Sequence, residues 1–377
     1  ALVLLSYLPL MAGLLSLPAP HADRLPAEAA LITRAMRGAL DVLDANGYDR
    51  VRPPLVEFEH SMASRMSGVE TRRMFRFTDP ASLRTLALRS DMTVQAGRIA
   101  ATSLANAPRP LRLAYAGEVM TIRADQLDPA RQKLQLGAEL IGSDSAEAAG
   151  EIVALAVEAL EAAGARGVSV DFTLPDLVDT LAKEAFPLAA SQIDAVRREL
   201  DMKDAGALRD AGGAAYLPLL YAAGPFEEAI ARIAAIDAGG ALASRIDGLR
   251  RIAARVGTGA RVTLDPTERH GFEYQSWFGF TLYAEGARGA LGRGGTYTIG
   301  GTEEPATGFS LYLDPLVETL DAPEARGALY LPLGHDRAAA AKLRAEGWRT
   351  VAALAEGEDA AALGCSHRLE GGVAQPV

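Results

Sequence analysis

Lys133-Leu134-Gln135-Leu136-Gly137-Ala138-Glu139-Leu140-Ile141-Gly142 alternates with a period of two. Leu134, Leu136, Ala138 and Leu140 point to one side, and Gln135, Gly137, Glu139 and Ile141 to the other, which marks a β-strand with two unlike faces. The first face is core. On the second, Gln135 and Glu139 flank Gly137, so two hydrogen-bonding side chains stand over bare backbone. Such a floor suits a small polar ligand, Glu139 drawing a cation and Gln135 supplying a donor and an acceptor. The same alternation also describes an antiparallel sheet whose second face is simply wet.

Upstream, Leu88-Arg89-Ser90-Asp91-Met92-Thr93 reads as a strand-to-helix junction. Asp91 there either caps the helix or pairs with a ligand ammonium. The helix runs from about Thr93 to Asn106 and stops before Pro108 and Pro110. Leu111–Ala116 and Glu118–Arg123 read as strands on either side of Gly117. Further back, Phe75–Phe77 and Thr85–Leu88 are strand-like and joined by the turn signal Asp79-Pro80. Pro26 opens a helix carrying Ile32, Met36, Leu40 and Leu43 at helical spacing, and Gly47 ends it. Pro53 and Pro54 make the stretch from Tyr48 to Glu57 an edge strand or an extended connection.

Downstream, Asp144 with Glu147 forms a capping-box pattern that starts a helix to about Ala163. From Leu177 to Val256 the pattern is helical and alanine-rich, as in a helical insertion within a larger α+β domain. Strand patterns resume at Arg261–Leu264, Glu273–Ser276 and Phe278–Ala284. Gly292-Arg293-Gly294-Gly295-Thr296 lacks the spacing of a phosphate-binding loop and reads as a tight turn. Strand Ala306–Leu313 and helix Pro315–Asp321 follow. The expected organisation is a body over residues 1–322 and a small β-α-β unit over residues 323–377, too short to be stable alone.

Composition narrows the function. The 377 residues carry a formal net charge of -10, with Lys133, Lys183, Lys203 and Lys342 the only lysines. The arginines are dispersed among acids, without the basic face that displaces phosphate counterions, so no nucleic-acid partner is expected. Cys365 is the sole cysteine, which rules out an intramolecular disulfide and a multi-cysteine zinc site and fits a reducing cytoplasm. His21, His60, His270, His335 and His367 show no metal-ligand spacing. The apolar segment from Ala1 to Pro18 lacks the basic flank of a secretory signal, and Pro9 interrupts it. Its uninterrupted stretch is too short to span a bilayer, and it reads as a segment packed on the body or as a start site placed too early. No catalytic, metal or cofactor site is named by these residues.

In order, these segments resemble the catalytic body of histidyl-tRNA synthetase, a class II synthetase built on an antiparallel sheet flanked by helices. The likeness runs from about Pro26 to Leu320. Gly47-Tyr48 through Glu57 is similar to the first class II motif, and Leu88-Arg89-Ser90-Asp91-Met92-Thr93 to the family's Leu-Arg-Pro-Glu-Gly-Thr. Gly117 through Gly142 lies over the second motif and the strand after it. Gly271-Phe272-Glu273-Tyr274 resembles the histidine-recognition Gly-Leu-Asp-Tyr. Gly294-Gly295-Thr296-Tyr297 and Gly308-Phe309 match the third-motif region.

The departures matter as much as the matches. The second motif's Phe-Arg-x-Glu has become Met120-Thr121-Ile122-Arg123, the third-motif arginine falls on Pro315, and Thr296 replaces the arginine of Gly-Gly-Arg-Tyr. The arginine that begins the histidine-specific motif falls on His270. Fixed guanidinium groups stabilise the charge of adenylate formation, and losing one such donor typically costs about a hundredfold to a thousandfold in rate. The resemblance therefore implies a body without aminoacylation. Asp91, Thr93, Gln135, Glu139 and Tyr274 fall on family positions that hold the histidine ammonium and imidazole. A synthetase body stripped of catalysis but keeping this pocket resembles the regulatory subunits of ATP phosphoribosyltransferase. That likeness implies a short-form catalytic subunit as partner, a homodimer within a hetero-oligomer, and histidine as effector. An active synthetase and a stand-alone amino-acid-sensing scaffold are the other readings.

Overall fold

The computed structural model describes residues 23–63, 74–122, 130–236, 239–269, 275–321 and 327–377. The apolar segment from Ala1 to Pro18, Arg123, His270 and the expected ligand residue Tyr274 lie outside them. The chain divides into two compact units between Leu320 and Asp321, two residues ahead of the sequence boundary.

In the first unit the strands, in chain order, are β1 (Asp49–Arg50), β2 (Val56–Phe58), β3 (Arg76–Thr78), β4 (Thr85–Leu88), β5 (Leu111–Met120) and β6 (Gln132–Ile141). They continue as β7 (Ser169–Thr173), β8 (Gly224–Pro225), β9 (Arg261–Leu264), β10 (Gln275–Tyr283), β11 (Gly292–Ile299) and β12 (Glu304–Tyr312). Among the described residues, nine of them form one sheet in the order β1-β5-β6-β12-β11-β10-β7-β9-β8, and β2, β4 and β3 form a small second sheet. The stretch from β5 to β7 is antiparallel, and parallel pairs β1–β5 and β7–β9 flank it. This is the expected α+β class, a synthetase-like antiparallel sheet flanked by helices.

Strand β6 lies inside the sheet, between β5 and β12, and both of its faces are covered. Leu134, Leu136, Ala138 and Leu140 pack in the main core with Ala149, Ile152, Val153 and Ala156 of the helix Ala146–Ala162. On the other face Gln135 and Glu139 are both fully buried, so the wet-sheet reading does not hold. The long helical stretch is the crossover between β7 and β9. Parallel neighbours cannot be joined by a tight turn, and here the connection contains helices Leu177–Glu184, Ala190–Asp201, Phe226–Ile236 and Ala243–Val256.

The junction after β4 holds three pieces together. The Arg89 guanidinium is buried and donates to the carbonyls of Pro53 at 2.9 Å and Glu118 at 2.7 Å. It lies over Gly117, where a side-chain carbon would stand 2.3 Å from its nitrogen. Gly117 therefore does not break the strand, and β5 runs through the position read as a boundary. Glu57 of β2 accepts from Gln95 and Arg98 of the helix Thr93–Ala101 at 2.9 and 2.6 Å, tying the small sheet to that helix. The helix is one turn shorter than the proline signals implied.

Two local readings are corrected. The helix Ala146–Ala162 is capped by Ser145, whose hydroxyl accepts from the Ala148 N–H at 3.2 Å. Asp144 contributes instead its carbonyl, which accepts from Trp277 Nε1 at 2.8 Å. Gly292–Ile299 is a strand, not a turn. Its glycines allow close approach: a side-chain carbon on Gly294 would sit 2.4 Å from the Gly308 carbonyl oxygen and 2.5 Å from the Phe280 ring.

The second unit has strands β13 (Ala328–Leu331), β14 (Arg349–Ala352), β15 (His367–Glu370) and β16 (Val373–Pro376). Among the described residues they form a four-stranded sheet in the order β14-β13-β15-β16. The helix Arg337–Ala345 is capped by Asp336, which accepts from the Ala338 and Ala339 N–H groups. Leu329, Leu331, Ala340, Leu343 and Leu369 make its core, and Cys365 is buried. The hairpin β15–β16 is an addition to the β-α-β expectation. Gly371 and Gly372 form its two-residue turn with φ of 57° and 81°, values that suit glycine and match the strand twist. No helix among the described residues is long and apolar enough to cross a membrane.

If Gly294 is packed within a sheet, Gly294→Val should destabilise the protein by about 1–3 kcal/mol through overpacking. Urea unfolding measures this, and an unchanged midpoint would restore the turn reading.

Candidate functional site

The inner face of β6 carries a connected polar network. Glu139 accepts from Tyr115 Oη of β5 at 2.8 Å and from Tyr297 Oη of β11 at 2.6 Å. Thr93 Oγ1, at the start of the helix, lies 2.9 Å from Tyr115 Oη. With the tyrosine proton committed to Glu139, the threonine is the donor in that contact. Ser310 of β12 closes the group, its hydroxyl 3.2 Å from Tyr115 Oη.

Gln135 connects this network to the strand–helix junction. Its Nε2 donates to Asp91 Oδ1 at 2.7 Å and to Ser310 Oγ at 2.8 Å, while its Oε1 accepts from the Met92 N–H at 2.8 Å. Asp91 Oδ1 also accepts from the Thr93 N–H at 2.9 Å. All of Gln135's polar atoms are thereby engaged, and a buried network whose members are all satisfied is rigid.

Four of the five expected residues thus meet in one network, and they divide by role. Thr93 and Glu139 line a pocket, together with Gln275, Arg293, Tyr297, Ser310 and the bare backbone of Gly294, Gly295 and Gly308. Asp91 and Gln135 stand behind that wall and position it. Tyr274, the fifth, lies outside the described residues. Sequence reasoning missed Tyr115, Tyr297, Ser310 and Arg293. Arg293 was hidden in the stretch read as a turn, and Tyr297, just after it, was noted only as part of the third-motif match. Ser310 was findable only from register, since it stands opposite Gly137, as Gly308 stands opposite Glu139.

The electrostatics follow from burial. Desolvation pushes the Glu139 carboxyl up to about 8, against the pull of the hydroxyls of Tyr297 and Tyr115, and the charge of Asp91 adds to the rise. Burial also raises Tyr115 well above the ordinary phenol value. Burial therefore favours the neutral acid, and a cation seated beside Glu139 favours the carboxylate.

The positions that would carry the charge-stabilising guanidinium groups are filled otherwise. Thr121 pairs through its backbone N–H with the Arg131 carbonyl at 2.9 Å. Pro315 opens the short helix Asp314–Val317. Thr296 is fully buried and accepts from Ser276 Oγ at 2.8 Å and the Phe278 N–H at 3.1 Å. It fills the irregularity in the pairing of β10 with β11 between Gln275 and Gly279.

Glu139 holds in the folded state a proton that it releases in the unfolded chain, so its contribution is complete below the ordinary glutamate value and is lost as pH rises toward 8. Thermal unfolding from about pH 5 to pH 8 should show the parent losing stability relative to Glu139→Gln. Parallel curves for the two proteins would mean that Glu139 is ionised throughout.

The histidyl-tRNA synthetase family model matches residues 21–316. The chain is 40% identical over 379 aligned positions to the ATP phosphoribosyltransferase regulatory subunit of Rhodospirillum centenum, covering 98% of each chain. It is 42% identical to the protein of that name from Paramagnetospirillum magneticum, over 94% of this chain and 95% of the relative. A crystal structure of an ATP phosphoribosyltransferase regulatory subunit/histidyl-tRNA synthetase from Bacillus halodurans C superposes with a TM-score of 0.77 at 26% identity, covering 92% of this chain and 95% of that one. The synthetase-like body, the altered guanidinium positions and the near full-length identity agree: the chain belongs to the ATP phosphoribosyltransferase regulatory subunits of the histidyl-tRNA synthetase family.

Proposed function

We propose that this chain binds the short-form ATP phosphoribosyltransferase catalytic subunit, is required for its activity, and carries part of its feedback inhibition by histidine at the first step of histidine biosynthesis. It acts in the cytoplasm as a homodimer within a hetero-oligomer, and its ligand site is built from Asp91, Thr93, Gln135, Glu139 and Tyr274, with Asp91 and Gln135 acting from behind the wall that Thr93 and Glu139 form. The observation that supports this most is the contrast within one site. The network of Glu139, Tyr115, Thr93, Gln135 and Asp91 remains, while Thr121, Thr296 and Pro315 stand at the guanidinium positions.

Such a pocket is suited to binding without turnover. Glu139 and Asp91 supply negative charge for an ammonium or an imidazolium, and Thr93 and the tyrosine hydroxyls supply oriented dipoles. Histidine that prefers one arrangement of the complex shifts its population toward that arrangement by its difference in affinity, and by no more than that.

The decisive assay is phosphoribosyl-ATP formation by the organism's short catalytic subunit, with and without this chain, followed by titration with histidine. Activity that requires the chain and falls with histidine supports the proposal; a catalytic subunit indifferent to the chain overturns it. Asp91→Asn, with one acidic charge removed behind the pocket wall, should raise the half-inhibitory histidine concentration by about tenfold or more. Unchanged inhibition in that variant would place the effector site elsewhere.

A further inference from the structure

Glu139, Thr93 and the tyrosine hydroxyls account for one end of an amino acid. They offer nothing to its carboxylate, which needs a cation or several N–H groups. The same pocket contains such a cation. Arg293 is the second residue of β11, between Thr281 of β10 and Ser310 of β12, and lines the same pocket as Glu139 and Thr93. It is half-buried, and its Nε is buried without a hydrogen-bond partner among the described residues. A guanidinium N–H withdrawn from water and left unmatched is costly, so such groups in folded proteins call for a specific reason.

The charges around it do not supply one. Glu268 feels the Arg293 charge, as do the phenols of Tyr283 and Tyr312. Burial and the neighbouring Asp171 push the Glu268 carboxyl up, and it makes no hydrogen bond to the Arg293 Nε. The glycines beside Arg293 let the strands and the Glu139 carboxylate pack closely. A side-chain carbon at Gly308 would collide with the Glu139 carboxylate, and one at Gly295 would stand 2.9 Å from Gln275 Nε2. Glu139 and Arg293 line one pocket, and Gly308 and Gly295 follow Glu139 in register across the neighbouring strands.

We infer that Arg293 is the carboxylate anchor of this pocket, so that the site selects a whole α-amino acid, cation toward Glu139 and carboxylate toward Arg293, over the corresponding amine. This rests on the amino-acid-pocket reading above. Arg293 comes from a different strand position than the guanidinium groups whose places are taken by Thr296 and Pro315. The recognition of negative charge has moved within the site, from where it would stabilise a reacting phosphate to where it holds a ligand's end.

The test is equilibrium binding of histidine and of histamine, which lacks the carboxylate, to the full chain in complex with its catalytic subunit. The parent should prefer histidine. Arg293→Gln should weaken histidine by about tenfold to a hundredfold while leaving histamine unchanged, and Arg293→Lys should restore part of the preference. A purely structural arginine would weaken both ligands together, and that outcome overturns the inference. If Asp91→Asn weakens histidine but Arg293→Gln does not, the pocket reading stands and the anchor fails. If neither variant alters histidine binding, the pocket itself is not the histidine site and both fail.

Discussion

A carboxyl group with no exposure to water sits at the centre of this fold, and the surrounding structure is arranged to tolerate it. Glu139 occupies the inner face of a strand bordered on both sides, where an unsatisfied charge would be prohibitive. Two phenolic hydroxyls, one from β5 and one from β11, satisfy its two oxygens. Those hydroxyls in turn require the helix start, the neighbouring serine and the glycine opposite, because each must come within hydrogen-bonding distance of the same few ångströms. The glycine at Gly308 is set by this packing: its place is already occupied by the carboxylate.

This dependence explains what the sequence disclosed and what it concealed. β6 was legible because a period of two over ten residues survives any context, and the helical crossover because alanine-rich periodicity is equally local. Gly292–Ile299 was misread because local rules assign glycine clusters to turns, whereas here close approach of two strands and an aromatic ring demands them. Tyr115 and Tyr297 were missed for a related reason. They are separated from Glu139 by 24 and 158 positions, and no short-range pattern marks a hydroxyl whose partner is set by strand order. The β15–β16 hairpin was the opposite case, a Gly371-Gly372 signal present in the chain and passed over.

The resemblance to a synthetase was carried by the same positions that reveal the change of role. The residues that stand at those positions are well accommodated. Thr296 spends its hydroxyl on the irregular pairing of β10 with β11, and Pro315 begins a helix turn whose preceding Asp314 accepts from the Leu134 N–H at 2.7 Å. These are settled structural solutions beside the hydrogen-bonded network around Glu139.

The segment from Arg89 to Thr93 has little slack. Arg89 is fastened to two carbonyls on separate strands or connections, the Met92 N–H and the Asp91 carboxylate are both fastened to Gln135, and Thr93 bears on Tyr115. Immediately before it lies β4, the middle strand of the small sheet whose edge strand β3 is exposed along its length. A displacement at Asp91 is therefore not absorbed where it begins. From there the chain leads back into β4, whose partner β3 carries Phe77 open to solvent.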